Sequence, residues 1–418
     1  MKVLFITYYW PPAGGVSVQR ILHFVLELDN LGVECHVIHP ENPSYYSEDT
    51  SLNKLIKSSI HCHPVKIFDV TKIIKLLPGQ NKEGNIKSNK QGALSSITKK
   101  IRANWFIPDP KVGWVPKIVD QTIHLHHKEK YDLVFTNGTP HSVHLAGLKI
   151  KENINLPWIA DFRDPWTKMD YFDLLPLNEK SKEKHQRLEH EVISNADITL
   201  TVSNSWKKDF KEAGAKRSEC ITNGFDEYIE NIPTDDFFIS HVGSIHSDRS
   251  LDIVINAIKE LNQKNKKVAS RIKLALIGNI DSNLEKKLQD KLPKEQVITT
   301  GMLNHNDAKS WIGKSKLLLL PINRSKASKG RVPAKLFEYL SARKPIALLG
   351  NSKGDAAKII LKNGFGKSFE DSQVEELEKY IIAIDNQTNE GHYNKGDVGL
   401  YSRQNLAEEL LQLMKSLI

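Results

Sequence analysis

Residues 2–40, KVLFITYYWPPAGGVSVQRILHFVLELDNLGVECHVIHP, contain the pattern on which the fold prediction depends. The run KVLFIT predicts a buried strand, SVQRILHFVLELDNLG predicts an amphipathic helix, and VECHVIHP predicts a second strand. A strand, a crossover helix and another strand are the repeating unit of a parallel sheet. We therefore expect an α/β protein with a doubly wound sheet in its first half.

The same alternation recurs along the chain and then restarts. YDLVFTNG, PWIADF and ADITLTVS continue the first series, and FFISHVGS, IKLALIG and KLLLLPI belong to a second one. Between the two series, the segment NGFDEYIENIPTDD is rich in turn formers and acids and has no apolar periodicity. We predict two Rossmann-like domains facing a central cleft, residues 1–225 and 226–400, followed by a C-terminal helix, 401–418, that packs back on the first domain.

The positive charge of the chain is concentrated in one segment. The formal net charge is +9, and residues 51–117 alone contain 13 Lys and Arg against three acids. Apolar residues lie among these cations, which favours an anionic membrane surface or an anionic acceptor as partner. A solvated basic insertion without a partner is the alternative, and nucleic acid is disfavoured because no binding motif accompanies the charge.

The N-terminal sequence and the cysteines bear on location and on metal binding. MKVLFITYYW predicts a first strand rather than a signal peptide, and no apolar run reaches the roughly 20 residues of a membrane span. We expect a cytoplasmic protein, peripheral on the inner face of the membrane if the basic segment binds lipid. His61 and His63 flank Cys62, but no second ligand cluster accompanies them in sequence, so we expect reduced thiols and no metal.

Loops after parallel strands are where ligands bind in such sheets. After the first strand, Gly14 and Gly15 allow the backbone to approach a ligand at a helix N-terminus, although a plain tight turn has the same pattern. After FFISHV, Gly243 is followed by Arg249, whose guanidinium suits phosphate oxygens. A solvated surface arginine is the alternative.

The segment GRVPAKLFEYL, residues 330–340, has the features of a diphosphate site. Pro333 suits the first turn of a helix, so we expect free amides at Arg331 and Val332 to face a ligand. Lys335 and Glu338 lie three apart, where the lysine can reach a phosphate and the carboxylate can accept from ribose hydroxyls. The alternative is a surface Lys-Glu pair of little energetic value.

Together these segments resemble the family 4 group of retaining glycosyltransferases of the two-Rossmann-domain (GT-B) type. The resemblance covers nearly the whole chain and includes VGSIHSDRSLD, VITTGMLNHNDA and PAKLFEYLSARKPI. It implies that Glu338 holds the donor ribose. The first glutamate of the family pattern is replaced by Gly330, and the usual Arg and Lys of the second-domain loop are Ser244 and Arg249 here.

The same resemblance suggests where the base and the acceptor bind. We expect backbone near Gly301, Met302 and Leu303 to contact the base. On the acceptor side, TNGTPHSVH offers His141 as the imidazole of the site, and WIADFRDPW offers a charged cluster at a strand end. That cluster consists of Asp161, Arg163 and Asp164. An internal salt-bridge network is the alternative for these three.

The function implied is transfer of a sugar from a nucleotide diphosphate sugar, UDP- or GDP-linked, to an acceptor hydroxyl on a glycan or lipid. We predict retention, no cofactor, no metal, and a role in bacterial surface polysaccharide or glycolipid synthesis. Arg249, His141, Asp161 and Arg163 are the predicted catalytic residues. The alternatives are an inactive sugar-nucleotide-binding scaffold and a sugar-nucleotide 2-epimerase.

Overall fold

The computed structural model describes residues 1–67, 93–323, 325–386 and 396–418. Its described residues form two compact units. The first consists of Met1–Thr222 together with Arg403–Ile418, and the second of Asn223–Ser402.

The first unit is built on seven parallel strands in the order β3-β2-β1-β4-β5-β6-β7. The strands are β1 (Lys2–Thr7), β2 (Glu34–Glu41), β3 (His61–Lys66), β4 (Leu133–Asn137), β5 (Trp158–Arg163), β6 (Ile198–Thr201) and β7 (Ser218–Cys220). Four consecutive residues of β1, from Val3 to Ile6, are fully buried. A continuous apolar run of this kind is typical of a strand with helices on both faces.

The helices of the first unit include one from the C-terminal end of the chain. They are α1 (Val16–Asn30), α2 (Ala93–Trp105), α3 (Val115–Glu129), α4 (Ser142–Ile154), α5 (Asp170–Asp173), α6 (Glu179–Asn195), α7 (Asn204–Glu212) and α15 (Arg403–Lys415). Leu410 and Met414 of α15 belong to the same buried cluster as Ile21 and Val25 of α1. The C-terminal helix is therefore part of the first core.

The second unit repeats the architecture with six parallel strands in the order β10-β9-β8-β11-β12-β13. They are β8 (Phe237–Val242), β9 (Ile272–Ile277), β10 (Val297–Gly301), β11 (Leu317–Pro321), β12 (Ile346–Leu349) and β13 (Gly366–Phe369). Its helices are α8 (Asp252–Lys264), α9 (Lys266–Ala269), α10 (Ser282–Lys291), α11 (His305–Lys314), α12 (Lys335–Ser341), α13 (Asp355–Lys362) and α14 (Val374–Asn386). Apolar clusters cover both faces of the sheet.

Two parallel sheets with flanking helices confirm the predicted α/β class. The sequence pattern did not predict the outer strands β3 and β13. In β3 only Val65 is buried, and the strand contains Pro64, so the apolar alternation of a strand is missing. A proline is tolerated there because β3 is at the edge of the sheet.

The basic segment 51–117 is only partly described, because residues 68–92 lie outside the described ranges. Its described part contains β3 and α2. Ile101 and Trp105 of α2 have exposed side chains. No helix within the described ranges is long and apolar enough to cross a membrane.

Candidate functional site

The carboxyl end of β8 is followed at once by Gly243. This residue has a φ of 111°, a conformation that side-chain-bearing residues rarely adopt. A Cβ atom built on Gly243 would lie 2.5 Å from Lys335 Nζ. Glycine is therefore needed for the turn and for the space into which Lys335 extends.

His241, one residue before the end of β8, positions that lysine. Its Nδ1 lies 2.9 Å from the carbonyl oxygen of Leu319, and its Nε2 lies 3.1 Å from Lys335 Nζ. Because a carbonyl only accepts, Nδ1 carries the proton and Nε2 accepts from the ammonium. Burial, followed by the charge of Lys335, lowers the pKa of His241 well below its ordinary value. The imidazole is therefore neutral and holds Lys335 without neutralising it.

Lys335 and Arg249, which are both half-buried, form a positive cluster. Burial, followed by the charge of Arg249, lowers the pKa of Lys335 from 10.5 to about 8, while Glu338 acts in the opposite direction. Burial also lowers the pKa of Arg249; Asp248 opposes this and Arg331 adds to it. In the described part of the chain, no carboxylate lies within ion-pair distance of Lys335 or Arg249. An anionic ligand would restore the electrostatic stabilisation that burial removes.

Glu338 lies one turn after Lys335 on the same side of helix α12. Its opposite face is buried, and the N–H of Val242 donates to Tyr339 Oη at 2.9 Å, which ties α12 to β8. The side chain of Glu338 is partly exposed, and no hydrogen bond or ion pair engages it within the described ranges. The alternative of a Lys335-Glu338 surface pair is wrong, because the half-buried Lys335 bonds to His241 and no ion pair joins it to Glu338 in the described part of the chain.

The segment before α12 differs from its prediction. The helix begins at Lys335, two residues after Pro333, and has seven residues. Gly330 ends a short 3₁₀ turn, and the N–H of Arg331 donates to the carbonyl of Ser328 at 3.3 Å. The predicted free amide of Arg331 is therefore wrong. The predicted roles of Val332 and Pro333 in donor binding stay predictions. The positive charge described above comes from the side chains of Lys335 and Arg249.

The predicted base contact follows the last residue of β10. Gly301 ends this strand with a φ of 67°, Met302 is exposed, and Leu303 is half-buried. Since β10, β9 and β8 are parallel neighbours, the carboxyl ends of β10 and β8 lie along one edge of the sheet. Gly301 and Gly243 share that edge, and the base contact stays a prediction.

In the first unit, Asp161 is paired with Arg20. Both side chains are buried, and Arg20 donates from Nε to Asp161 Oδ2 at 2.8 Å and from Nη2 to Oδ1 at 3.2 Å. The Nδ2 of Asn137 donates to the same carboxylate at 2.9 Å. Asp161 therefore takes part in an internal salt bridge, as the alternative interpretation predicted, and its partner is Arg20. The predicted catalytic role and the acceptor contact of Asp161 are not supported by a carboxylate so enclosed.

Arg163 and Asp164 separate from Asp161 at the end of β5. Arg163 has a φ of 56°, and its Nη2 lies 3.5 Å from Asp164 Oδ2. Both side chains are partly exposed. The three residues therefore do not form one cluster. Asp161 pairs with the buried Arg20, and Arg163 pairs with Asp164.

His141 lies between the end of β4 and the start of α4. It is 6% exposed, and its ring stacks on Trp166 with centroids 4.9 Å apart. Neither ring nitrogen has a hydrogen-bond partner among the described residues. Burial, followed by the charges of His144 and Arg163, lowers the pKa of His141 well below its ordinary value. The result is a neutral imidazole with one donor and one acceptor unused.

Gly14 and Gly15 form a tightly packed loop in the first unit. The N–H of Gly14 donates to the carbonyl of Ser47 at 2.8 Å, and a Cβ there would lie 2.9 Å from Ser47 Oγ. Gly15 precedes α1 with a φ of 83°. Packing alone explains the first glycine, and the predicted donor contact of both stays a prediction.

One group of metal-ligating side chains occurs in the described part of the chain. It consists of Glu34, His36 and His61. The sequence argument against a metal assumed that no second ligand cluster accompanies His61. That assumption was wrong, because the parallel register of β2 and β3 pairs His36 with His61.

A family model described as glycosyl transferases group 1 matches residues 225–394. The matched part of the second unit is similar to members of this family. The match begins just before β8 and includes every residue of the positive cluster. The resemblance to glycosyltransferases drawn from the motifs is thus confirmed for these residues. A comparison with curated protein sequences gave no match.

Solved structures with a similar fold cover 99–100% of this chain. Sucrose-phosphate synthase from Thermosynechococcus elongatus has a TM-score of 0.65 and 14% identity over 100% of this chain and 98% of its own. The lipopolysaccharide outer core galactosyltransferase WaaB has a TM-score of 0.63 and 13% identity, with 100% of both chains covered. S. aureus TarM, in a complex that contains UDP, has a TM-score of 0.64 and 11% identity over 99% of both chains. At such identities the likeness shows a shared GT-B fold.

Two residues that organise these sites were not predicted. His241 was missed, although a histidine inside the apolar run FFISHV and just before a glycine is an unusual strand residue. Arg20 was missed because it lies in the amphipathic helix α1, where an arginine suggests an exposed position. Its partner Asp161 is 141 residues away, so no local pattern could reveal the pair.

Proposed function

We propose that the protein is a glycosyltransferase that uses a nucleotide diphosphate sugar and transfers the sugar to an acceptor hydroxyl with retention at the anomeric carbon. One observation carries the proposal: the half-buried Lys335 and Arg249 lie near each other at the carboxyl edge of β8 without a carboxylate partner among the described residues. A diphosphate is an anion of the right charge for two such cations.

The donor is held by this cluster and by Glu338. The ammonium of Lys335 and the guanidinium of Arg249 bind phosphate oxygens, while His241 keeps Lys335 oriented. The carboxylate of Glu338 has free lone pairs that accept hydrogen bonds from ribose hydroxyls. A nucleoside that lacks those hydroxyls should bind less tightly for this reason.

The same cations act in the chemical step. Cleavage of the sugar–phosphate bond leaves positive charge on the sugar and additional negative charge on the departing diphosphate. Lys335 and Arg249 stabilise the developing negative charge, and their fixed positions avoid reorganisation during the reaction. The acceptor hydroxyl attacks from the side that the diphosphate leaves, and a phosphate oxygen takes its proton. The cations fill the role that a metal would have, so we propose a metal-independent transfer.

The acceptor is oriented by the first unit. His141 is neutral, and its two unpartnered ring nitrogens suit hydrogen bonding to sugar hydroxyls. Arg163 and Asp164 lie at the end of the neighbouring strand and are partly exposed. Asp161 acts through Arg20 and Asn137 as a positioning residue of this sheet edge.

The basic segment suits an anionic membrane surface. In α2, the exposed apolar residues Ile101 and Trp105 lie among the exposed cations Lys99, Lys100 and Arg102. Such a mixture favours interfacial binding. We propose a lipid-linked or glycan acceptor of bacterial surface polysaccharide or glycolipid synthesis at the cytoplasmic face of the membrane.

The donor assignment is tested by a thermal-shift screen of UDP-, GDP- and ADP-sugars. A ligand that binds only the folded chain raises its melting temperature. UDP-sugars are the first donors to test, because the TarM complex contains UDP. Radiolabelled sugar from the stabilising donor should then appear on a lipid-linked glycan. No stabilisation by any nucleotide sugar would contradict the proposal, and binding without transfer to any acceptor would favour an inactive scaffold.

The membrane assignment is tested by flotation with vesicles containing anionic lipid. We expect salt-sensitive binding that Trp105→Ala weakens, because the side chain is exposed on α2. Tyr46→Ala, at an exposed aromatic residue outside the basic helix, is the matched control. Equal flotation of Trp105→Ala and the unmodified chain would remove α2 from the membrane surface.

A further inference from the structure

Three histidines and a glutamate lie together where β2 and β3 pair. The register aligns His36 of β2 with His61, the first residue of β3. Glu34 and His63 share their face, because side chains two apart in a strand point to the same side. One ligand atom each from Glu34, His36 and His61 lie within 4.8 Å of one another.

His36 is the centre of this group and is buried. Its Nε2 lies 3.2 Å from Glu34 Oε1, and its ring stacks on His61 with centroids 4.5 Å apart. Its Nδ1 lies 2.9 Å from His63 Nε2 and 3.1 Å from Tyr131 Oη. One ring nitrogen therefore points to the carboxylate, and the other is anchored by two polar groups.

This arrangement contains both the side chains that would bind a metal ion directly and the polar groups that would hold a ligating histidine in place. Imidazole nitrogens and a carboxylate oxygen are zinc ligands at about 2.0–2.2 Å, so two ligand atoms of one ion are at most roughly 4.3 Å apart. Small rotations of the exposed side chains of Glu34 and His61 bring the three atoms into that range. A histidine that binds metal donates its other N–H to a second polar group. For His36, His63 Nε2 and Tyr131 Oη stand where that acceptor belongs.

The carboxylate can leave its present partner without leaving a charge unpaired. Lys2 Nζ lies 2.8 Å from Glu34 Oε1 and also 2.8 Å from Glu129 Oε2. When a cation takes Glu34, the ammonium keeps Glu129. The exposed side chains of Glu34 and His61 give the ion a path from solvent and leave a coordination position for water.

We propose that Glu34, His36 and His61 bind a divalent transition-metal ion, with zinc the best match to two imidazoles and one carboxylate. The site is structural. Glu34 and His61 are the first residues of their strands, whereas donor and acceptor residues follow the carboxyl ends of strands. Bound zinc links the edge strand β3 to β2 and stabilises the folded state.

The experiment titrates the full chain with ZnCl₂ by calorimetry, after chelator treatment and without a polyhistidine tag. His61→Ala and Glu34→Gln remove one ligand each. His305→Ala is the matched control, since His305 is an exposed histidine at the start of α11 in the second unit. Binding of Co²⁺, followed by its visible absorption, reports the geometry of the ligands.

We expect one zinc per chain, a raised melting temperature, and a tetrahedral cobalt spectrum for the unmodified chain and His305→Ala. His61→Ala and Glu34→Gln should bind zinc at least about tenfold more weakly. Melting temperatures in chelator verify that these two variants fold, because both positions are exposed. Absence of stoichiometric zinc binding, or His61→Ala binding zinc as tightly as the unmodified chain, would overturn the site.

Discussion

Two charge groups, one in each unit, differ in whether an opposite charge is present. In the first unit, Arg20 is matched by Asp161 at 2.8 Å, and both are enclosed. In the second unit, the half-buried Lys335 and Arg249 lie near each other, and partial burial lowers both pKa values. The partners of Lys335 are a neutral histidine and a nearby but unpaired glutamate.

This difference separates a structural charge from a functional one. Desolvation of a charge costs free energy, which an internal ion pair recovers within the fold. When the fold supplies no opposite charge, the cost is recovered only by a ligand. Mutation of the Arg20-Asp161 pair should therefore reduce stability. Mutation of Lys335 or Arg249 should reduce ligand binding and turnover.

The largest effect is expected for the matched pair. Arg20→Met leaves Asp161 as a buried carboxylate without its cation, which should lower the free energy of unfolding by about 3–5 kcal/mol. Denaturant unfolding measures the change. In the double variant with Asp161→Asn, part of the loss should return, because no buried charge remains. A loss well below 1 kcal/mol for Arg20→Met would show that the pair is not structural.

Mutation in the cluster of Lys335 and Arg249 should reduce activity rather than stability. Arg249→Met should lower turnover about 100- to 1000-fold, because it removes a charge that stabilises the departing diphosphate. The free energy of unfolding should stay the same or rise, since a desolvated charge is lost.

Its control is Arg187→Met, at an exposed residue of α6. Initial rates with saturating donor and unfolding curves measure the two quantities. Turnover of Arg249→Met equal to that of the control would remove Arg249 from the site.

Glu338→Gln separates the ribose contact from the phosphate contact. Hydrogen bonds to a charged group contribute about 1.5–3 kcal/mol, so nucleotide diphosphate affinity should fall by roughly ten- to 150-fold. The unmodified chain should prefer the ribonucleotide to its 2′-deoxy analogue, and the variant should lose most of this preference. Equal discrimination in both proteins, measured by calorimetry, would place the ribose elsewhere.

A smaller, graded effect is expected with pH. The pKa of Lys335 is about 8 in the free chain. A bound diphosphate favours the charged lysine, so binding takes up a proton above pH 8, and affinity falls by up to about tenfold per pH unit there. Folding responds with the opposite sign: between about 8 and the unfolded value of 10.5 the unfolded chain binds more protons, so stability rises with pH.

Lys335→Arg is the control for this pH dependence, because arginine stays charged throughout. Its nucleotide affinity should be independent of pH between about pH 7.5 and 9. A pH dependence identical in Lys335→Arg and the unmodified chain would assign the titration to another group.

The fold was predictable because its signals are local. Strands such as KVLFIT and IKLALIG are continuous apolar runs, and amphipathic helices separate them. The edge strand β3 was not predictable in the same way, since HCHPVK buries one residue of six. Its identity as a strand depends on pairing with β2, which no local pattern encodes.

The candidate site was predictable where the residues lie in one motif. Lys335 and Glu338 are three apart, and Gly243 and Arg249 are in one loop, so their sequence spacing indicates a ligand. The contacts that explain these residues join distant segments. His241 and Lys335 are separated by 94 positions, and Arg20 and Asp161 by 141. Such contacts follow from strand order and register.

The most direct test of the central claim is calorimetry of Lys335→Met. The ligand is the nucleotide diphosphate whose sugar stabilises the unmodified chain, and the titration is done at about pH 7 beside denaturant unfolding. We expect Kd to rise at least about tenfold, since one charge-assisted contact is lost, while the free energy of unfolding does not fall. An unchanged Kd, or a variant that is destabilised and still binds normally, would contradict the account that Lys335 is held for an external anion.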